Sequence, residues 1–275
     1  MTGRKKRVAN LASHLFLALL AVALTFPFLW MLTGAFKDNL EVVAMPPRLL
    51  PSRWNFDNFA EIEAYFPLYR FFANSALVAV ATTLLQLAIC TMAAYVFAKI
   101  AFRGRQSLFV LFLTTMMIPA QVTLVPLFIL FSRTDLIDTY AGLILPGIFS
   151  AYGTFLLRQN IMTIPNELME AAFIDGASYY RVFFSVIVPL VKPTLSALSI
   201  FAFMSSWNNF LWPLIAVNSK ELMTLPLGLS KLQGQWSTEW NLLMAGNVVS
   251  FVPIFIVFLF AQRYFIKGIT MTGIK

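Results

Sequence analysis

The residues of this sequence best suited to a specific molecular task lie in one short stretch, Glu170-Ala171-Ala172-Phe173-Ile174-Asp175-Gly176-Ala177. The stretch stands in a polar break between two long apolar runs. Its two adjacent alanines leave room for the surface of another protein to come close. The task that this pattern suggests is recognition of a partner, and we interpret the stretch as a docking surface.

Residue sets for catalysis or for metal binding are scarce elsewhere. The single cysteine, Cys90, permits neither an intrachain disulfide nor a cysteine metal site, and the lone histidine is His14. The sequence contains no G-x-x-x-x-G-K-[ST] loop and not even a Gly-Lys pair, so it lacks the usual phosphate-binding loop of an ATPase. We therefore expect no catalytic residue, no metal and no cofactor bound by this chain.

The elements that position the docking stretch are predicted to be membrane helices. The 275 residues are 59% hydrophobic and 12% charged, whereas soluble domains average about 45–50% and 25%. A helix crosses the bilayer core with about 17–25 uncharged residues, and six runs qualify. The fold class predicted is an all-α, six-span membrane protein. The six predicted spans are Leu11 to Leu32, Asn74 to Ala98, Ser107 to Phe131, Thr139 to Leu157, Pro193 to Val217 and Asn241 to Ala261.

The basic residues predict the orientation. With a cytoplasmic amino terminus, 13 of the 20 Lys and Arg residues fall inside and seven outside. Four of those seven lie in the long first outer loop, where charges count for little, so the effective balance is 13 against 3. Both termini are therefore predicted to be cytoplasmic, in a multi-pass protein of the cell membrane. The net charge of +8 is explained by this asymmetry and by anionic lipid of the inner leaflet, and we expect no binding to nucleic acid.

The first span resembles a cleavable signal peptide, because basic residues 4–7 precede an apolar run that contains Ala21-Val22-Ala23. The run continues to Leu32, however, and its 22 residues are enough to span the bilayer. We expect a retained anchor. Its removal would leave five helices in the same orientation.

A polar cluster in the fifth predicted span is the main candidate for contact with a solute. Asn208 and Asn209 lie about 100 degrees apart on a helix, so at least one can face the bundle interior, and Trp207 is suited to stacking on a sugar face. Gln121 of the third span is a further candidate. The alternative is that these carboxamides make ordinary hydrogen bonds between helices.

Prolines within the spans also predict bent helices.

The docking stretch itself is predicted to be part of a short helix. Pro165 is a natural first helical residue, Glu167 suits the positive amino end of the helix dipole, and Gly176 is a natural stop. A helix of that length measures about 16 Å and cannot span the membrane. Ser178 can cap a second helix that leads to Leu190. The residues expected to share one face of the first helix are Leu168, Ala171, Ala172 and Asp175.

These residues resemble a known motif. Glu170-Ala171-Ala172, Asp175-Gly176-Ala177-Ser178 and Pro189 look like the E-A-A, D-G-A, P loop of ABC importer permeases. The chain is similar to the MalG-like carbohydrate permeases over nearly its whole length. The further matching segments include Pro27-Phe28-Leu29-Trp30-Met31, Asn74-Ser75, Ala93-Ala94-Tyr95, Ile118-Pro119, Gly142-Leu143-Ile144-Leu145-Pro146, Thr154-Phe155-Leu156-Leu157-Arg158 and Trp207-Asn208.

The resemblance implies the permease subunit of a sugar importer. Such a subunit pairs with a second, homologous permease around a central path. An external solute-binding protein delivers the carbohydrate, and two cytosolic ABC ATPases, which bind the ATP and Mg, dock on the permeases and open the path alternately to each side. The residues that the resemblance assigns to ATPase coupling are Glu170, Ala171, Ala172, Asp175, Gly176 and Ala177.

The implied organisation has three parts. Residues 1–10 form a basic cytoplasmic segment, residues 11–265 form one transmembrane permease domain, and residues 266–275 form a cytoplasmic tail that is expected to approach the ATPases. The coupling loop, residues 160–190, lies within the permease domain. In this family the partner permease can supply most of the sugar contacts, which leaves the role of Asn208 and Asn209 open.

Two other classes of protein remain as alternatives. An ion-coupled secondary transporter usually needs ionisable groups near the bilayer midplane. An intramembrane enzyme needs a nucleophile, a metal or an acid–base set. The predicted spans contain no Asp, Glu, Lys or Arg, and their lone histidine is His14. Both alternatives are therefore disfavoured.

Overall fold

The computed structural model describes residues 3–65, 67–233 and 238–271, with side chains for residues 10–64, 67–233 and 238–260. The fold of this part is all-α, as predicted, and its only β-type pairing is an isolated bridge between Gln233 and Thr238. The α-helices are α1 (Gly3–Gly34), α2 (Asn39–Val42), α3 (Asn58–Tyr65), α4 (Leu68–Lys99), α5 (Arg105–Thr114), α6 (Ala120–Arg133), α7 (Tyr140–Ile144), α8 (Ala151–Met162), α9 (Asn166–Ile174), α10 (Tyr179–Val182), α11 (Val188–Leu190), α12 (Lys192–Trp207), α13 (Leu211–Ala216), α14 (Leu225–Ser230) and α15 (Trp240–Met271). The side chains of the predicted tail lie outside the described residues.

Three segments of the described chain are long and apolar enough to cross a membrane as single helices, namely Asn10–Gly34, Leu68–Lys99 and Trp240–Phe260. Three further pairs of helices meet this criterion only together, because each pair bends at a break. Counting each bent pair as one span gives up to six spans. The bent pairs are Arg105–Met117 with Ala120–Arg133 (100°), Tyr140–Gly147 with Ala151–Met162 (45°) and Tyr179–Leu190 with Lys192–Trp207 (79°).

The third predicted span is not one helix. A short 3₁₀ turn, Thr115–Met117, ends α5, and the chain turns by 100° before α6 begins. Pro119 causes the break, since proline disfavours helical backbone at the preceding residue, and Ile118 is accordingly extended at φ −87° and ψ 116°. The prediction that prolines bend the spans therefore holds at Pro119.

The fifth predicted span, Pro193 to Val217, is likewise not one helix. Helix α12 ends at Trp207, and a separate helix, α13, begins at Leu211. Pro213 lies in the first turn of α13, where a missing N–H costs no hydrogen bond. A continuous helix would need a backbone N–H at residue 213 as a hydrogen-bond donor, whereas a helix that begins at Leu211 does not.

By its internal contacts the chain divides into two units. The first is drawn from Met1–Tyr69 and Gly228–Val252, and Asn58 is buried in it. The carboxamide of Asn58 donates hydrogen bonds of 2.9 Å to the carbonyls of Ala35 and Lys37, and its Oδ1 accepts one of 2.9 Å from Asn241. These bonds satisfy backbone groups just beyond the end of α1, where the helix leaves its carbonyls without intrahelical partners.

The second unit is drawn from Arg70–Leu227 and Pro253–Lys275, and it contains the predicted coupling loop and the polar cluster of the fifth span. Two groups of buried apolar side chains stabilise it. One packs beside the coupling loop and includes Tyr95, Leu157, Ile161, Met169, Val182 and Leu198. The other lies near α7 and α13 and includes Val78, Phe131, Leu143, Trp212 and Leu227.

Candidate functional site

The coupling loop begins with a helix that is tied to a membrane helix. Helix α9 starts at Asn166, with Pro165 at the capping position, one residue later than predicted. Glu167 lies in the first turn, as expected from the helix dipole. The ammonium of Lys99, at the end of α4, donates hydrogen bonds to the carbonyl of Ile164 at 2.5 Å and to Oδ1 of Asn166 at 2.8 Å. The start of α9 is thereby fixed to the end of α4.

The end of α9 confirms the prediction made for Gly176. This residue has φ +79°, in the left-handed region, and its N–H donates to the carbonyl of Phe173 at 3.0 Å. The N–H of Ala177 donates to the carbonyl of Ala172 at 2.9 Å. The two bonds form a Schellman motif, which satisfies the last carbonyls of the helix and needs a residue without a Cβ penalty at position 176.

The second helix of the loop starts as predicted and then widens. The hydroxyl of Ser178 accepts a hydrogen bond from the N–H of Arg181 at 3.4 Å and caps α10. Residues Phe183–Ile187 form a π-helical turn before α11. Pro189 lies two residues further on, and its missing N–H removes the α-helical hydrogen bond to residue 185. Single π-helical turns of this kind are frequent at functional sites.

Helix α9 has one face turned to the protein core. Met169 is 6% exposed and belongs to the buried group that includes Val182. Ala172 and Ala177, which were assigned to coupling, are partly buried against the same group, as is Phe173. Ala172 therefore lies at the edge of the face expected for it, because it is three residues after the buried Met169 and four residues after the exposed Leu168.

The opposite face of α9 is open. The coupling candidates that lie exposed are Glu170, Ala171, Asp175 and Gly176. Large apolar side chains accompany them, since Ile174 is 86% exposed and Tyr180 is 81% exposed. Sequence reasoning missed these two residues. The signal available in the sequence was that Ile174, a large apolar residue, comes directly before the polar Asp175 and the helix stop at Gly176. Apolar groups exposed beside polar ones mark surfaces that bind other proteins.

Arg158, in the second half of α8, holds three helices together. Its guanidinium lies 4.0 Å from the ring centroid of Phe109, a cation–π contact. Its Nε donates to the carbonyl of Phe97 at 3.1 Å, and its Nη2 donates to Oε1 of Gln106 at 3.3 Å. The side chain is buried, so these contacts fix α4, α5 and α8 to one another.

A cavity of about 390 Å³ lies within the second unit. Two of the residues predicted to line a path, Gln121 and Asn209, are among its lining. Several polar residues that were not proposed as site residues join them. These are Thr82, Gln86, Thr123, Ser205 and Ser206.

The other two predicted path residues are placed elsewhere. Trp207 is 1% exposed and packs against the rings of Phe203 (5.7 Å between centroids, stacked) and Phe72 (5.4 Å, edge-on). Asn208 donates its amide to the carbonyl of Met204 at 2.9 Å. Neither belongs to the lining of the cavity. In this structure the indole has packing partners on its faces and is not available to stack on a sugar.

Thr82 has an unusual position in the cavity wall. Its side chain is 3% exposed, and among the described residues its hydroxyl has no hydrogen-bond partner. Gly147 allows the wall to close at this point, because a Cβ there would lie 2.5 Å from the methyl carbon of Thr82. A buried hydroxyl without a partner costs free energy, so its presence requires a reason.

Asp138 organises the loop between α6 and α7. Its backbone has φ 60°, and its Oδ1 accepts hydrogen bonds from the N–H groups of Asn218 and Ser219, each at 3.0 Å, and from the hydroxyl of Ser219 at 2.9 Å. The bond from the Ser219 N–H is the main cause that holds the pKa of Asp138 below its ordinary value.

Within the described part of the chain, no group of three or more His, Cys, Asp or Glu residues could hold a metal.

Comparison with known proteins assigns the architecture. Residues 86–271 match the family described as binding-protein-dependent transport system inner membrane component. The arabinooligosaccharides transport system permease protein AraQ of Bacillus subtilis is 38% identical over 98% of this chain and 96% of its own length. The sn-glycerol-3-phosphate transport system permease protein UgpE of Pectobacterium atrosepticum is 35% identical, over 96% and 97%.

A solved structure shares the fold. It is a bacterial ABC transporter involved in the import of the acidic polysaccharide alginate, and one of its chains aligns with a TM-score of 0.86. The alignment covers 96% of the present chain and 99% of the other, at 22% identity.

Proposed function

The chain belongs to the family of inner membrane components of binding-protein-dependent transport systems, and from this membership we propose that it is a permease subunit of an ATP-driven sugar importer. It is a multi-pass membrane protein and a transport subunit. Its relative AraQ bears the name of an arabinooligosaccharide permease, which supports carbohydrate as the solute. An ion-coupled carrier is not favoured, because the family is defined by its dependence on a binding protein.

The proposed assembly contains three kinds of partner. A second, homologous permease completes the path, a solute-binding protein delivers the sugar from outside, and a pair of cytosolic ABC ATPases supplies the energy. The ATP and Mg bind to the ATPases, and the present chain contributes no nucleotide site. Both termini face the cytoplasm, which the excess of basic residues on that side supports.

The exposed face of α9 is the observation that best supports a role in coupling to the ATPase. Glu170, Ala171 and Ile174 stand open on a helix that is too short to span the membrane. The same helix is anchored through Met169 in the core and through Asn166 to Lys99. A force applied by an ATPase to the open face would therefore be transmitted to α4. The amphipathic helix docked into a partner's groove is a common mode of recognition.

Co-purification tests the proposed assembly. The tagged chain is extracted gently from the membranes of its own host, and the accompanying proteins are identified by mass spectrometry. We expect a second permease and an ABC ATPase. Recovery of this chain alone or as a homo-oligomer would contradict the proposal if crosslinking in intact membranes gives the same result.

A further inference from the structure

We propose that the cavity in the second unit is a binding subsite for an uncharged, hydroxyl-rich solute, and that this chain itself contacts the cargo. The inference rests on the proposed function, because it names the substrate class and the residues of that path. It places recognition on Gln86, Gln121, Ser205, Ser206 and Asn209, together with Thr82 in the wall.

The position of the cavity supports a path rather than a packing defect. Its lining includes residues at three interruptions of the membrane helices: Ala120 follows the 100° bend, Pro146 and Gly147 lie in the 3₁₀ turn after α7, and Asn209 lies between α12 and α13. Interrupted backbone at membrane depth is tolerated where it lines a cavity or is buried in protein. All three interruptions meet at this cavity.

The size of the cavity suits a small solute or one end of a longer one. Its volume of about 390 Å³ lies within the range of about 300–1,000 Å³ that ligand sites occupy. A second cavity, also of about 390 Å³, shares Gln86, Ala202 and Ser205 with it and extends to Tyr152. The shared residues make the two cavities neighbours, so a ligand longer than one sugar ring has room to continue.

The chemistry of the lining points to an uncharged ligand. Each polar side chain that the structure places in the lining is a hydroxyl or a carboxamide, and these groups both donate and accept hydrogen bonds. Sugar hydroxyls need partners of that kind. An anionic cargo buried here would need a cation, because a buried charge without a partner is costly. The lining of this cavity offers none among the described residues.

Thr82 supplies an independent indication. Its hydroxyl is buried and has no partner within the described chain, although most buried hydroxyls are hydrogen-bonded. The lining also contains the carboxamides of Gln86, which is partly buried, and of Gln121, which is exposed. Polar groups that fold without partners beside a cavity are suited to bonding a passing ligand.

The first experiment determines the charge of the cargo. The importer assembly, purified with its permease partner, its ATPases and its binding protein, is reconstituted into vesicles. ATP-dependent uptake is measured for neutral mono- to oligosaccharides, including arabinotriose, and for two anions, sn-glycerol 3-phosphate and an alginate trisaccharide. We expect uptake of a neutral saccharide and none of either anion. Uptake of either anion overturns the inference, whether or not a neutral saccharide is also taken up.

Variants then test the cavity itself. Gln86→Leu removes one carboxamide, and we expect uptake per assembled complex to fall by about 2- to 12-fold, the effect of one neutral hydrogen bond. Thr82→Val is nearly isosteric and removes the unpartnered hydroxyl. We expect it to lower uptake while leaving the thermal midpoint of the complex unchanged or higher, a combination that a purely structural role would not produce.

Thr83→Val is the matched control. Thr83 is the next residue of α4 and is also buried, but its hydroxyl donates to the carbonyl of Ala79 at 2.7 Å and it does not line the cavity. We expect normal uptake in this variant. Unchanged uptake in both Gln86→Leu and Thr82→Val overturns the subsite while the importer stands. Absence of ATP-dependent uptake for every probe contradicts the proposed function instead.

Discussion

The ammonium of Lys99 lies 2.8 Å from Oδ1 of Asn166 and joins the last residue of a membrane helix to the first residue of the coupling helix. The same ammonium donates to the carbonyl of Ile164. Hydrogen bonds from a charged donor are stronger than neutral ones. A displacement of α9 is therefore expected to move α4 from its Lys99 end, and Thr82 and Gln86 of the cavity wall lie further along the same helix.

Replacement of Lys99 tests this connection. We expect Lys99→Met to lower the free energy of unfolding by about 1.5–3 kcal/mol, since the hydrogen bonds from the charged group are lost. ATP-driven uptake should fall further than ATP hydrolysis, because the ATPases would still dock. Uptake and hydrolysis are measured in the same vesicles. Lys192→Met, at an exposed lysine of α12, is the control, and an equal loss in both variants would contradict the connection.

The stop of the coupling helix gives a second prediction. Gly176→Ala places a Cβ on a residue at φ +79°, and the left-handed region costs a residue with a Cβ about 1–2 kcal/mol. A Cβ there meets no atom within 4 Å, so the penalty comes from the backbone alone. Gly176→Asn should cost less, because asparagine tolerates this conformation. Thermal unfolding of the purified complex measures both, and equal midpoints for all three proteins would contradict the account.

The local signals of the coupling loop predicted where its first helix begins and ends and where its second helix begins. Pro165 and Gly176 act through their backbone conformations and Ser178 acts through its hydroxyl, and the structure differs by one residue at the start. The partial burial of Ala172 could not be predicted from such local signals. It depends on which side of α9 meets Met169 and the core, and that contact joins residues distant in the sequence.

Charge reversal on the open face of α9 gives a third prediction. We expect Glu170→Arg to abolish uptake and to weaken recovery of the ATPase with the permease, because the exposed carboxylate is replaced by a cation at the docking surface. The helix itself should remain folded. Glu61→Arg, the same change on an exposed glutamate of α3, is the control. Normal uptake in Glu170→Arg would contradict the coupling role.

Asp138 gives a prediction on pH. Its pKa is lower in the folded protein than its ordinary value, mainly because the N–H of Ser219 donates to it. A lowered pKa means that the carboxylate adds stability above its ordinary pKa of about 4, and that this stability is lost as pH falls through the folded value. We expect Asp138→Asn to lower the thermal midpoint at pH 7. The difference from the wild type should shrink below about pH 4, and a difference that grew on acidification would contradict it.

Only part of the cavity lining could be predicted from the sequence. Polar residues within apolar runs identified Gln121 and Asn209, which do line it. The same reasoning selected Trp207, whose burial against Phe72 depends on the packing of α4 against α12. The 100° bend before α6 was not predicted either, since Pro119 indicates an interruption and not the angle. The position of Thr82 in the cavity wall could not be predicted, because threonines are common in apolar helices and only the structure shows that this hydroxyl has no partner among the described residues.

Photocrosslinking from position 171 tests the central claim most directly. A benzophenone is attached to Ala171→Cys in the assembled importer, and Ala64→Cys, an exposed position on α3, is the control. The native Cys90 is 1% exposed and should react little. The account predicts capture of the ATPase from position 171 and not from position 64. An ATPase that co-purifies with the chain but is not captured from position 171 would contradict it.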